Sequence, residues 1–110
     1  MSEKEFVKRA GFALMATLAV HHKEDDEKFI KLLDTIERES CDNRKMVKKA
    51  VNWALRQIGK RNLKLNRIVV KKIEKIDNLN CKSSNWIAKD GLRELNNEKL
   101  LKKLKEKEKN

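Results

Sequence analysis

A chain of 110 residues with 39% hydrophobic content suffices for one modest core, so its 41% charged residues do not imply wholesale disorder. A formal net charge of +11 points to a polyanionic partner. The apolar run from Ala10 to Val20 lacks a cleavage-site pattern and is too short to span a bilayer, so no membrane association is expected. Two cysteines without a signal segment suggest a reducing cytoplasm.

Taken in chain order, the apolar periodicity predicts six helices. The first runs from about Glu3 to Val20. The polar turn "HHKEDDEK" follows, with Asp25 and Asp26 as N-cap candidates for a second helix through Glu39. After "SCDN" a third spans about Arg44 to Lys60, and Gly59 suits its C-terminal stop. A fourth covers about Leu65 to Leu79, and "CKSSN" caps a fifth from Asn85 to Leu95. A sixth, from Asn97, has Leu100, Leu101 and Leu104 as anchors, and residues 105–110 are expected to fray. There is no proline and no alternating strand pattern, so the fold class is all-α.

The chain also repeats. At a shift of 40, Phe6-Val7-Lys8-Arg9-Ala10 lies over Met46-Val47-Lys48-Lys49-Ala50, and Trp86-Ile87-Ala88-Lys89-Asp90 follows. Phe29, Leu33 and Ile36 lie over Val69, Ile73 and Ile76. Forty residues is the length of a HEAT-like αα-hairpin. The expectation is one domain, 1–110, of about two and a half repeats (3–39, 43–79 and 85–104) stacked in a short right-handed superhelix. In that register Val7, Val47 and Ile87 should be equivalent. The first helix carries Val7, Leu14 and Leu18 on one side and Phe12, Ala13, Ala16 and Val20 on the other. A helix that is apolar nearly all round is buried on both sides. It therefore calls for a further neighbour, either an N-terminal half or a second subunit in a homo-oligomer.

The charge is unevenly placed. Between Asn43 and Ile73 stand eleven Lys or Arg residues and no Asp or Glu, while the remainder carries 17 of each sign. Within this block, Val47, Ala50, Val51, Ala54, Leu55 and Ile58 form an apolar stripe. Lys45, Lys49, Asn52, Trp53, Arg56 and Lys60 fall opposite. A face of cations, an amide and an indole without a carboxylate fits phosphate contact. Trp53 either packs on an adjacent helix or lines that surface.

The remaining candidates read as structural. Cys41 and Cys81 share one slot of successive repeats. At about 10 Å, the ordinary helix spacing, they lie beyond the roughly 7 Å reach of a disulfide, so both are expected as small loop-edge hydrophobes. With His21 and His22 they lack the short spacing of a zinc site, and the histidines read as a solvated turn. No metal or cofactor is expected. Trp86 shares the slot of Phe6 and Met46 and is expected as a core or staple residue. Asp90 takes the place of Ala10 and Ala50; of pairing with a neighbouring base and marking an exposed last unit, the second is expected. No nucleophile elbow, phosphate loop or metal motif is present.

"EFVKRAGFALMATLAV", "VKKAVNWALRQIGKRN" and "NWIAKDGLREL" resemble the C-terminal half of the DNA alkylation repair family of HEAT-like-repeat DNA glycosylases, over roughly residues 3 to 96. The resemblance implies a basic concave surface that wraps duplex DNA. It also implies excision of alkylated, cationic purines such as 3-methyladenine and 7-methylguanine, with Arg56 on the DNA backbone beside the lesion. The family's catalytic aspartate belongs to a segment upstream of the "FVKRAG" helix and has no counterpart here. The expectation is thus a DNA-binding module of base-excision repair that is inactive as a glycosylase on its own. The alternative is a helical scaffold that uses the same stripe for an acidic protein partner.

Overall fold

In a computed structural model, residues 3–21 and 25–108 are described, residue 21 by its backbone only. Six helices account for them: α1 (Glu3–His21), α2 (Asp26–Glu39), α3 (Lys45–Gly59), α4 (Leu63–Asn78), α5 (Lys82–Leu95) and α6 (Glu98–Glu108). Among the described residues there is no strand. The side chains of His21 and His22 lie outside the description.

Short polar side chains set the helix starts. Asp25 has an extended backbone, and its carboxylate accepts from Glu27 N at 3.2 Å. Asn62 accepts from Leu65 N at 2.8 Å and donates to Asp26 at 3.1 Å, which ties the start of α4 to the start of α2. At α5 the Ser84 hydroxyl accepts from Cys81 N at 2.9 Å. The helix ends are less predictable from sequence. Gly59 ends α3 without a positive φ; its missing Cβ makes room instead for Leu95, whose Cδ1 would lie 2.6 Å from a Cβ there. The left-handed residue is Asn80, with φ 57° just beyond α4, a conformation that asparagine tolerates. The last helix continues through the lysine-rich tail to Glu108.

The helices form two layers, α1–α3–α5 and α2–α4–α6, as their contacts show. Between them lies a core built from Phe29, Leu33 and Ile36 of α2, Val47, Val51, Leu55 and Ile58 of α3, Leu65, Val69, Ile73 and Ile76 of α4, and Ile87 and Leu95 of α5. Buried positions recur at forty in these helices: Phe29 and Val69, Leu33 and Ile73, Val47 and Ile87, Leu55 and Leu95.

The first helix is different. Val7 is 62% exposed, whereas Val47 and Ile87 are wholly buried. Instead α1 packs on α3 and buries Phe12, Ala16 and Ala19, leaving Phe6, Val7 and Leu14 exposed. Within this chain α1 is therefore buried on one side. Forty residues on, Phe12, Ala16 and Ala19 correspond to Asn52, Arg56 and Gly59, the edge that α3 turns towards α5. The same edge joins successive helices of the layer, apolar at the first junction and polar at the second.

The cysteines require a correction. Cys41 and Cys81 form a disulfide with Cα atoms 5.5 Å apart, not separate thiols. Interaxial spacing governs helix bodies, but these residues lie in loops at the helix ends, which converge. Ser83 Oγ donates to Ser40 O at 2.7 Å and Ser83 N to Asn43 Oδ1 at 3.1 Å, drawing the two loops together. Cysteine usage consequently gives no support to a reducing compartment. Among the described residues, no helix is long and apolar enough to cross a membrane.

Candidate nucleic-acid interface

The outward side of α3 begins with two lysines. Lys45 and Lys49 are exposed and make no ion pair among the described residues. Trp53, one turn beyond Lys49, is 38% exposed and lines a groove of about 260 Å³ with Arg9 and Ala13 of α1 and Met46, Lys49 and Ala50 of α3. Trp53 thus lies against the neighbouring helix α1 and keeps an open edge.

Further along α3 the face changes character. Asn52 is buried, and its Nδ2 donates to Asp90 Oδ2 of α5 at 2.9 Å. Arg56 Nε donates to Asn52 Oδ1 at 2.6 Å, while its NH1 donates to Glu94 Oε2 at 2.6 Å. The other oxygen of Glu94 lies 2.6 Å from Lys60 Nζ. One carboxylate thus bridges two of the cations predicted to meet phosphate. Burial raises the pKa of Glu94, but hydrogen bonds from Arg56 and Lys60 outweigh it and leave the carboxyl below its usual range.

Asp90 does not mark a free end. It pairs with Arg93, accepts from Asn52 and lies 3.8 Å from Arg56 Nε. Trp86 is likewise not a core residue. It is 39% exposed, and Lys48 Nζ stands 4.7 Å from the ring centroid, a cation–π contact between α3 and α5. A second open groove, about 500 Å³, is lined by Trp86, Lys89, Asp90 and Arg93.

The six predicted residues therefore divide. Lys45, Lys49 and Trp53 form an open surface, whereas Asn52, Arg56 and Lys60 are engaged at the α3–α5 junction. Sequence proximity could not reveal this, because both acids lie on a helix one repeat later. The signal was present in the repeat itself, which brings Asp90 level with Ala50 and Glu94 level with Ala54.

The rest of the acid-free block is distributed as well. Lys72 of α4 pairs with Asp34 and Glu37 of α2, and Arg44 pairs with Asp42. Arg61 lies over the Phe29 ring at 4.2 Å and donates to Ala19 O at 2.8 Å, close to the C-terminus of α1. Lys64, Arg67 and Lys71 stand on α4, in the other layer. Among the described residues, no cluster of three or more His, Cys, Asp or Glu side chains is arranged to hold a metal ion.

The sequence model of the DNA alkylation repair enzyme family matches residues 1–104. No curated protein and no solved structure matches the chain. With nearly its whole length matched and an all-α fold of six helices, the chain belongs to the DNA alkylation repair enzyme family.

Proposed function

We propose that this chain binds the backbone of duplex DNA through the outward side of the α1–α3–α5 layer, as a module of base-excision repair related to the C-terminal half of the family. One observation carries the reading. Lys45 and Lys49 stand exposed without a carboxylate partner among the described residues, beside the open edge of Trp53, within the family match. Lys45 and Lys49 are the permanent phosphate contacts. Arg56 and Lys60 contribute only when they leave Glu94.

In this reading the binding surface does not carry the chemistry. An alkylated purine is a cationic leaving group, and its departure needs an anion near the developing sugar cation. Asp90 and Glu94 are the carboxylates beside this face, and both already neutralise bases of the chain. The 110-residue chain alone should release 7-methylguanine from methylated duplex DNA slowly, because one missing electrostatic element costs about 10²- to 10³-fold. Robust release that Asp90→Asn abolishes would overturn this part.

Binding is tested with a fluorescent duplex titrated at several salt concentrations. Three to five neutralised phosphates give a slope of log K against log salt of roughly −3 to −5. The double change Lys45→Ala, Lys49→Ala should weaken binding equally on unrelated sequences, since phosphate contacts carry no base information. Binding indifferent to salt, or undiminished by the double change, rejects the proposal.

A further inference from the structure

The central block also places charge without an ion pair on α4, in the other layer. Lys64, Arg67 and Lys71 are exposed on α4, without an ion pair among the described residues, and Lys75 continues the row. Their spacing of three, four and four residues places all four on one side of the helix. The row extends about 16 Å, at 1.5 Å per residue.

The neighbouring surface is apolar and concave. Between α4 and α6 runs a groove of about 450 Å³ with Leu63, Val70 and Leu101 among its lining residues. Arg67 and Lys71 rim it on one side and Lys105 of α6 on the other, and no carboxylate lines it. Beyond Val70 and Lys71 the surface opens into a second cavity, between α4 and α5, where Glu74 and Asp77 appear. The acid-free groove therefore has a definite end.

We infer that the α4–α6 groove docks an acidic amphipathic helix of a protein partner. Its apolar residues would cover Leu63, Val70 and Leu101, and its carboxylates would meet Arg67, Lys71 and Lys105. Charge complementarity selects the sign of the partner. The apolar residues Leu63, Val70 and Leu101, with Asn66 and Asn96 beside them, select its class, because an amphipathic helix lays an apolar stripe into such a groove. The site lies in the layer opposite α3, so the inference does not depend on DNA binding by Lys45 and Lys49.

The test uses the full chain and a fluorescein-labelled 18-residue helical peptide. The peptide has glutamates repeating at three- and four-residue intervals beside a leucine stripe. A scrambled peptide of identical composition is the control for charge alone. Two variants are compared, Arg67→Glu with Lys71→Glu on α4 and Lys45→Glu with Lys49→Glu on α3; all four positions are exposed. The expected result is preference for the amphipathic peptide over its scramble. Reversing the two α4 charges should weaken binding by about tenfold or more, and reversing those on α3 should leave it unchanged. Equal binding of the two peptides overturns the inference, as does failure of the α4 variant to weaken the amphipathic one. If duplex DNA binding is lost in the α4 variant but not in the α3 variant, the row serves nucleic acid. The α4 inference then fails, and so does the placement of DNA on α3.

Discussion

Arg56 donates through two nitrogens to two different helices, Nε to Asn52 on its own helix and NH1 to Glu94 on α5. A guanidinium held this way is already engaged, and Glu94 competes with a phosphate for it. Glu94→Gln removes the competing charge while keeping the shape. Duplex affinity should rise several-fold and the salt slope should steepen by about one, since each phosphate neutralised adds about 0.9. The same change should cost about 1 kcal/mol or less of stability, the usual worth of a partly exposed ion pair. Anisotropy titrations at two salt concentrations and a thermal melt separate these effects. Weaker binding by Glu94→Gln would mean that Glu94 positions Arg56 for the phosphate.

A second carboxylate governs behaviour in acid. Asp42 is held well below the usual carboxylate range, mainly by its hydrogen bond from Arg44, with Lys8 on the same group. The folded state thus binds the Asp42 proton less readily than the unfolded chain does. Its contribution is complete above the unfolded value near 4 and fades as pH falls towards the lower folded value. Melting temperature should be flat from pH 7 to about 5 and decline below about 4. Asp42→Asn should lower the plateau and flatten that decline.

Between α3 and α5, apolar, polar and covalent contacts coincide. Gly59 lets Leu95 approach, Asn52 and Asp90 bond across, and the disulfide ties the loops that precede both helices. Gly59→Ala puts a methyl against the buried Leu95 side chain. It should destabilise by about 1–3 kcal/mol through overpacking, despite the better helix propensity of alanine, as denaturant titration would register. Closing a loop of 40 residues should contribute about 4 kcal/mol on the chain-entropy account. Cys81→Ser, or reduction, should lower the melting temperature accordingly. The apolar stripes of α2 to α5 were legible in the sequence because periodicity alone determines which side of a helix is buried. Partners across the layer were not legible. Asn52 and Arg56 look like solvent positions on a single-helix wheel, and only the stacking of α5 converts them into a junction. Cys41 and Cys81 illustrate the same limit, since equal slots implied a helix spacing while the loop course determined the actual separation.

At the scale of the molecule, the two ends of the α1–α3–α5 layer are held unequally. The α1 junction buries Phe12, Ala16 and Ala19, with Met15 and Leu18 partly covered, and is tied by Lys8 to Glu39 and Asp42 and by Arg61 to Ala19 O. The α3–α5 junction adds a covalent link and a polar network. Helix α1 packs closely on α3 alone, whereas α3 and α5 each meet at least three helices, and an element held by a single neighbour can open without the rest. Amide hydrogens of α1 should therefore exchange with solvent deuterium through a shared local opening, well before those of α3 and α5, which wait for global unfolding. Uniform protection across all three helices would contradict this. If α1 does come away alone, Phe12, Ala16 and Ala19 are uncovered together with Val7 and Leu14, already at the surface. Transient opening of one helix would then present a continuous adhesive strip, so the chain's tendency to self-associate on storage should track the exchange rate of α1, not the melting temperature of the whole.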